Sequence, residues 1–389
     1  MPSPARALHS TGTEHDDMQE LFTFLQQLIN GLSQGSIYAL IAVGYTMVYG
    51  VLQLINFAHG DVFMVGAMVA MYVATGRVPP TMPIWMHGLI VGILIIALIA
   101  LSVSRRSIKL GFLEVLPFIG IYVVLAPSLY LIGKISSGIP GSNWQVSYLS
   151  SLFVLTVSLT VCGLIGFLIE RLAYRPLRDK PRINSLITAI GISLLLEFGG
   201  QHRSVFGPTP QSFPAEMVPN IKMAIIESPV RIGRSDALIL IVTLLLMGAL
   251  SFIVMKTKTG LALRAVSYRF DTAALMGINI NRIISFTFVL GSTLAAAAGF
   301  LYAVQYPTVN PLMGLQPGVK AFVAAVFGGI GNITGAVVGA ILLGLVEVLV
   351  KGYMPNGSQY SDAVAFVILI VILLVKPSGL LGKNVVEKV

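Results

Sequence analysis

A polytopic bundle of membrane-spanning helices, all-α, follows from three features of this chain. Of its 389 residues, 56% are hydrophobic and only 11% are charged, and a chain so poor in charge cannot cover a water-facing surface. Its apolar residues fall in runs near the ~20 needed to cross a bilayer as helix. Its basic residues gather in the short stretches between those runs, as they do in cytoplasmic loops. The length therefore describes one multi-helix bundle of roughly 8–10 spans, some of them broken by glycine. The net charge of +9 is explained by loop basicity and implies no nucleic acid.

Residues 1–30 form a polar extension, with Glu14, Asp16, Asp17 and Glu20 near its start. They carry no basic-then-apolar leader pattern and are expected to be unstructured. Spans are expected over 33–53, 61–75, 84–103, 112–132, 149–170, 183–199, 236–255, 283–303, 319–350 and 361–376, within a membrane domain of residues 31–380. The run 61–75 is short for a span, and 319–350 is too long for one.

Arg105, Arg106 and Lys109 form one basic cluster. Arg171, Arg175, Arg178, Lys180 and Arg182 form a second, and Lys256, Lys258, Arg264, Arg269 and Arg282 a third. Single crossings in between put all three on one side, the cytoplasm. The N-terminus and the loop 201–235 then lie outside, and the tail 381–389 lies inside if 319–350 contains a break. "FGGIGNITGAVVGA", residues 327–340, supplies it: Gly328, Gly329, Gly331 and Gly335 each disfavour continuous helix by about 1 kcal/mol against Ala. Two helical pieces joined by a non-helical turn are expected there.

A second interruption lies in "INFAHGD", residues 55–61. Irregular backbone at membrane depth survives only where protein buries it or where it lines a wet cavity. Broken segments in both halves of a chain point to a transport path. Asn56, His59, Gly60 and Asp61, with Gly328, Gly329, Gly331 and Gly335, are therefore the candidate path residues, expected around one central cavity. A structural role stands beside this one: Asp61 places a carboxylate in the first turn of the helix that follows, and His59 is a satisfied polar group. Glu114, Glu197 and Glu347 lie near span ends, where snorkelling accounts for them. The small residues of "STLAAAAGFLYA" (292–303) and "GAVVGAILLG" (335–344) suit close helix packing.

No catalytic constellation is expected. HExxH, CxxC and the phosphate-binding GxxxxGK[ST] are missing, and the five histidines offer no i, i+4 metal pair. The single cysteine, Cys162, excludes an internal disulfide. No metal or cofactor is implied.

"KTKTGLALRAVSYRFDTAALMGININR", residues 256–282, is a basic loop with helical periodicity in Leu263, Val266, Phe270, Ala273, Ala274 and Gly277. Such a helix has to bury its apolar face against its own bundle or another subunit. This loop and the helix after it resemble the coupling region of ABC permeases for branched-chain amino acids. Asp271-Thr272-Ala273 followed by Gly277 is similar to a degenerate EAA-xxx-G motif, without the later I-x-L-P part. "SIYALIAVGYTMVYGVLQLINFAHGDVFMVGA", "IERLAYRPLR", "AFVAAVFGGIGNITGAVVGAILLG" and "KPSGLLG…VEKV" resemble the LivH-type permeases of such uptake systems. The region 79–147 is longer than in that family by about a hairpin of spans.

The resemblance implies an import permease of the bacterial inner membrane, working by alternating access. Implied partners are a homologous second permease, two ATP-binding subunits and a periplasmic substrate-binding protein. ATP would be bound by the partners, with Arg264, Asp271, Ala273, Ala274 and Gly277 in the docking loop. Leu, Ile or Val is the implied substrate. Permeases for urea or short-chain amides share the "N-x-A-H-G" and "GG-x-G" blocks and form the alternative. A passive channel or ion-coupled carrier is a further one and would need no ATPase.

Overall fold

The computed structural model describes residues 5–75, 148–178, 180–203, 205–214, 223–224 and 230–382. The expected spans 84–103 and 112–132, the Arg105–Arg106–Lys109 cluster, Glu114 and the extra hairpin lie outside the described residues, as do tail residues 383–389.

The described chain is almost wholly helical: α1 Ala5–Leu52, α2 His59–Thr75, α3 Tyr148–Leu168, α4 Arg182–Gly200, α5 Arg234–Lys256, α6 Lys258–Tyr268, α7 Phe270–Leu275, α8 Ile280–Gln305, α9 Leu315–Gly328, α10 Ile333–Tyr353 and α11 Gly357–Val375. A π-helical turn, Ile169–Tyr174, and a 3-10 turn, Arg175–Leu177, extend α3. Two short antiparallel pairs complete the description, β1 (Gln211–Ser212) with β4 (Thr308–Val309) and β2 (Met223–Ala224) with β3 (Arg231–Ile232). Seven described helices are long and apolar enough to cross a membrane, while α2 and α9 are shorter.

The chain start differs from expectation. Residues 5–30 are helical, continuous with the first span as one helix of 48 residues. That is about 70 Å of helix, far more than the ~30 Å hydrocarbon thickness, and Met18, Leu21, Phe24 and Leu25 on it are exposed. Within α1, Gly31-Leu32-Ser33-Gln34-Gly35 has the G-x-S-x-G spacing of a nucleophile elbow. It sits in continuous helix instead of a strand-to-helix turn, and its glycines serve packing. A Cβ on Gly35 would lie 2.7 Å from Cα of Ile341, and one on Gly31 2.9 Å from Cα of Leu345.

Small residues set the helix spacing elsewhere too. Ala295 to Ala298 are fully buried, and a Cβ on Gly66 would lie 2.6 Å from Cα of Ala296. Without a hydrophobic drive between helices in lipid, such close approach is how they gain contact energy. Two blocks result. In one, α1 and α9 pack on α10, and α11 packs outside it; in the other, α2, α3 and α8 pack on each other. They meet along α1 and α8, where a Cβ on Gly291 would lie 3.4 Å from the Gly44 carbonyl oxygen.

One end of the bundle carries the second and third basic clusters and is called the basic end. The C-termini of α1, α5, α9 and α11 and the N-termini of α4, α8 and α10 lie there. The long run 319–350 does divide as expected: α9 ends at Gly328, and α10 starts at Ile333. The segment 306–314 together with α9 makes one crossing towards the basic end, and α10 and α11 make two more, so the described C-terminus returns there.

Candidate functional site

The site is built from two crossings that begin as irregular backbone and become helical part-way. In the first, α1 ends at Leu52, and Gln53 adopts a left-handed backbone with φ 55°. Residues 53–58 then double back from the basic end. His59 N–H donates to the Asn56 carbonyl at 3.1 Å, and α2 starts at His59, level with Gly44 and Tyr45, about two turns before the end of α1. In the second, the chain enters from the opposite end after β4. Met313 N–H donates to the Asn310 carbonyl at 3.2 Å, and α9 starts at Leu315. The two helices thus begin at the same depth and run opposite ways. Asn56-x-x-x-Gly60 and Asn310-x-x-x-Gly314 form the same turn at each start.

The two starts touch through bare backbone. A Cβ on Gly60 would lie 2.7 Å from the Gly314 carbonyl oxygen and 3.0 Å from Cα of Gly318, and one on Gly318 would lie 2.8 Å from Cα of Gly60. No side chain fits between them. Helix N-termini carry partial positive charge, so two of them meeting repel unless an anion is near. Asp61, in the first turn of α2, is buried, and its Cα is 3.1 Å from a Cβ on Gly314. Its carboxylate accepts a hydrogen bond from the Ser193 hydroxyl on α4. The carboxylate therefore stabilises the junction from its flank.

His59 is buried to 1% exposure. Its ring is wedged against Gly44 and Gly291 and lies edge-on to Tyr45 with centroids 4.7 Å apart. The ring hydrogen-bonds the Ile41 backbone, while its Nε2 has no hydrogen-bond partner among the described residues. Asn56 is buried and accepts from the Tyr174 hydroxyl at 3.0 Å. Tyr174 closes the π-turn, whose other end holds the buried Glu170. Glu170 pairs with Arg178 and accepts from Ser285 on α8, and Arg178 also donates to Asn281 at 2.7 Å.

The glycine turn occupies another place. It lies at the far end of α9, about 20 Å from the junction at helical rise. Gly329 and Gly331 take φ of 111° and 92°, which glycine alone adopts freely. Gly328 and Gly335 are in backbone contact. The Asn332 side chain caps α10 by accepting from Gly335 N–H at 3.3 Å and donates to the Leu381 carbonyl at 2.8 Å. Leu380 and Leu381 N–H groups bond the ends of α9, at 2.9 and 3.0 Å. The structure thus gathers Asn56, His59, Gly60 and Asp61 at the junction, and Gly328, Gly329, Gly331 and Gly335 at the basic end, where the C-terminal segment covers them.

Glu347 is not a snorkelling residue. It is 2% exposed and accepts from Tyr38 Oη at 2.8 Å, Lys320 Nζ at 2.8 Å and Lys351 Nζ at 2.6 Å. Lys320 also pairs with Asp362 at 2.6 Å. Four helices, α1, α9, α10 and α11, are tied by this cluster. Buried charges persist only when paired in this way. Sequence reasoning missed Lys320, Gly314 and Gly318; the Asn310-Pro311 step and the repeated Asn-x-x-x-Gly spacing were the signals for the last two.

At the basic end, α6 and α7 lie along the bundle. Thr257 caps α6, accepting from Gly260 N–H at 3.0 Å, and Leu263, Val266 and Ala273 are buried. Ala274 and Gly277 are exposed instead of joining that apolar face, and Phe270 is half-buried. Arg264 and Asp271 are exposed as well. Gly277, φ 78°, ends α7, with its N–H on the Ala274 carbonyl at 3.0 Å. Tyr268, Leu275 and Met276 project with 85%, 88% and 78% exposure, an apolar knob at an end rich in charge.

The family described as branched-chain amino acid transport system, permease component, matches residues 27–155 and 127–373. The chain is 36% identical over 374 residues to the high-affinity branched-chain amino acid transport system permease protein BraD of Pseudomonas aeruginosa, covering 96% of this chain and 100% of that protein. It is 35% identical over 375 residues to the permease protein LivH of the corresponding Escherichia coli K12 system, covering 95% and 99%. A shorter likeness, 31% over 156 residues, relates 38% of the chain to 44% of the autoinducer 2 import system permease protein LsrC of Klebsiella pneumoniae. No solved structure matches the chain.

Proposed function

Because this chain belongs to the family of branched-chain amino-acid transport permease components, we propose that it is the membrane-spanning permease of an ABC importer for leucine, isoleucine and valine. Identity across the whole of two permeases named for that transport carries the reading. The basic end faces the cytoplasm, by the excess of Lys and Arg there, and the chain's C-terminus with it; the N-terminus is periplasmic. The importer lies in the bacterial inner membrane.

In this reading the permease makes and breaks no covalent bond. A periplasmic binding protein delivers the amino acid to the outer end, and a homologous second permease completes the membrane unit. Two ATP-binding subunits grip the cytoplasmic face. The exposed knob of Tyr268, Leu275 and Met276, flanked by Arg264 and Asp271, is what such a subunit would bury; apolar residues this exposed at a water-facing end are the mark of an interaction site. Movement of α6 and α7 passes into α8, which begins three residues beyond Gly277, and so into the block that carries α2. The path runs past Asn56, His59, Gly60 and Asp61. Alternating access then means rocking one block against the other around the mid-membrane junction.

Affinity purification of the chain from its native membranes tests this. It is expected to bring down a second permease and an ATP-binding protein, with ATP-dependent uptake of labelled leucine in the same vesicles. Uptake that persists in vesicles cleared of the ATP-binding protein contradicts it.

A further inference from the structure

The junction has an inner wall made of rings. Tyr45 on α1 and Phe322 on α9 lie with centroids 6.0 Å apart, and Phe57, just before α2, lies 6.4 Å from Phe322. Tyr45 is buried, Phe322 is half-buried and Phe57 is 38% exposed. The cluster therefore runs from the junction, where Gly60 and Gly318 are buried, to the partly exposed Phe57. It also joins the two blocks: Phe57 moves with α2, whereas Phe322 and Tyr45 belong with α9 and α1.

The neighbouring charges are engaged elsewhere. Asp61 is held by Ser193, the Lys320 ammonium by Glu347 and Asp362, and Glu170 by Arg178 and Ser285. What remains at the junction is glycine backbone, aromatic face and the neutral edge of the buried His59 ring. An apolar side chain gains about 25 cal/mol per Å² by burial on such a surface, whereas a charged one loses its hydration with no partner to replace it.

We infer that Tyr45, Phe57 and Phe322 form the constriction of the transport path and select, within the permease itself, amino acids with uncharged apolar side chains. Closed, the rings and the Gly60–Gly314–Gly318 contact seal the path; opening it parts Phe57 from Phe322. The inference rests on the permease reading above, and its test separates the two.

The experiment uses the full complex in membrane vesicles. The variant Phe57→Cys/Phe322→Cys is bridged with a short reversible bifunctional thiol reagent; native Cys162 is buried and does not compete. Bridging is expected to abolish leucine uptake, and reductant to restore it. A bridged Gln27→Cys/Gly352→Cys pair, within one block, is expected to keep uptake. A bridged Phe57/Phe322 pair that transports at its unbridged rate overturns the constriction. Separately, Phe322→Ala is expected to lower uptake of leucine relative to glutamine by about tenfold, the scale of pocket discrimination. Equal change in both overturns the selection. If the unaltered complex takes up no branched-chain amino acid, the substrate reading fails, and the position of the rings is still decided by labelling. Phe57→Cys is expected to react with a membrane-impermeant thiol reagent applied to the cytoplasmic face; reaction only with a lipid-soluble reagent overturns it.

Discussion

Gly66 carries no side chain because Ala296 of a neighbouring helix occupies the place of its Cβ. A Cβ there would lie 2.6 Å from Cα of Ala296, so Gly66→Val forces α2 and α8 apart. Overpacking of this kind costs about 1–3 kcal/mol, and the detergent-solubilised protein is expected to show a lower melting temperature; an unchanged one contradicts the close approach. Glu347 behaves differently. Glu347→Ala strips Lys320 and Lys351 of a shared partner inside the bundle, a loss of about 3–5 kcal/mol when one member of a buried pair is removed. Glu347→Ala combined with Lys320→Met is expected to be less harmful than Glu347→Ala alone, measured by denaturation in the same detergent. Additive losses contradict a coupled pair. The sequence marked His59 and Asp61 plainly, since ionisable groups inside an apolar run stand out. It could not show that Glu347 is buried, because its partners Tyr38 and Lys320 are brought to it only by the packing of α1 and α9 against α10.

At the scale of elements, only a dense cluster of glycines signalled broken helix, and glycine was a poor guide to which breaks meet. The break at 329–332 was legible in the glycine density around it. The meeting of α2 with the start of α9 was not, because Gly314 and Gly318 lie in no such dense run. The helix before the first span was not foreseen; once a span is helical, each further residue adds one hydrogen bond without a new nucleus, and residues 5–30 continue it as one helix. The coupling segment yields the sharpest prediction here. Gly277 has φ 78°, where a β-branched residue is strained, and no atom lies within 4 Å of its missing Cβ. Gly277→Val should therefore distort the exposed end of α7 while leaving the spans packed. Reduced recovery of the ATP-binding protein, with unchanged membrane insertion, is the expected outcome; full recovery contradicts the docking role of this turn.

For the whole molecule, low charge, basic clustering and broken spans were enough to give a transport bundle, and several separate sequence blocks pointed to its family. The arrangement into two blocks, one carrying each half-helix, came only from the structure. It matters because the α2 block leads straight into the coupling segment through α8, while the α9 block is fastened by the Lys320–Glu347–Asp362 cluster. In the proposed reading, one block is the one moved and the other the one held. A passive channel needs no such division.

Reconstitution into sealed liposomes tests that division most directly. With the second permease, the ATP-binding subunits and the binding protein present, labelled leucine should accumulate against its gradient on addition of ATP. The permease chain alone should leave the liposomes tight to leucine in both directions. Leucine that crosses through the isolated chain, downhill or uphill, contradicts the account.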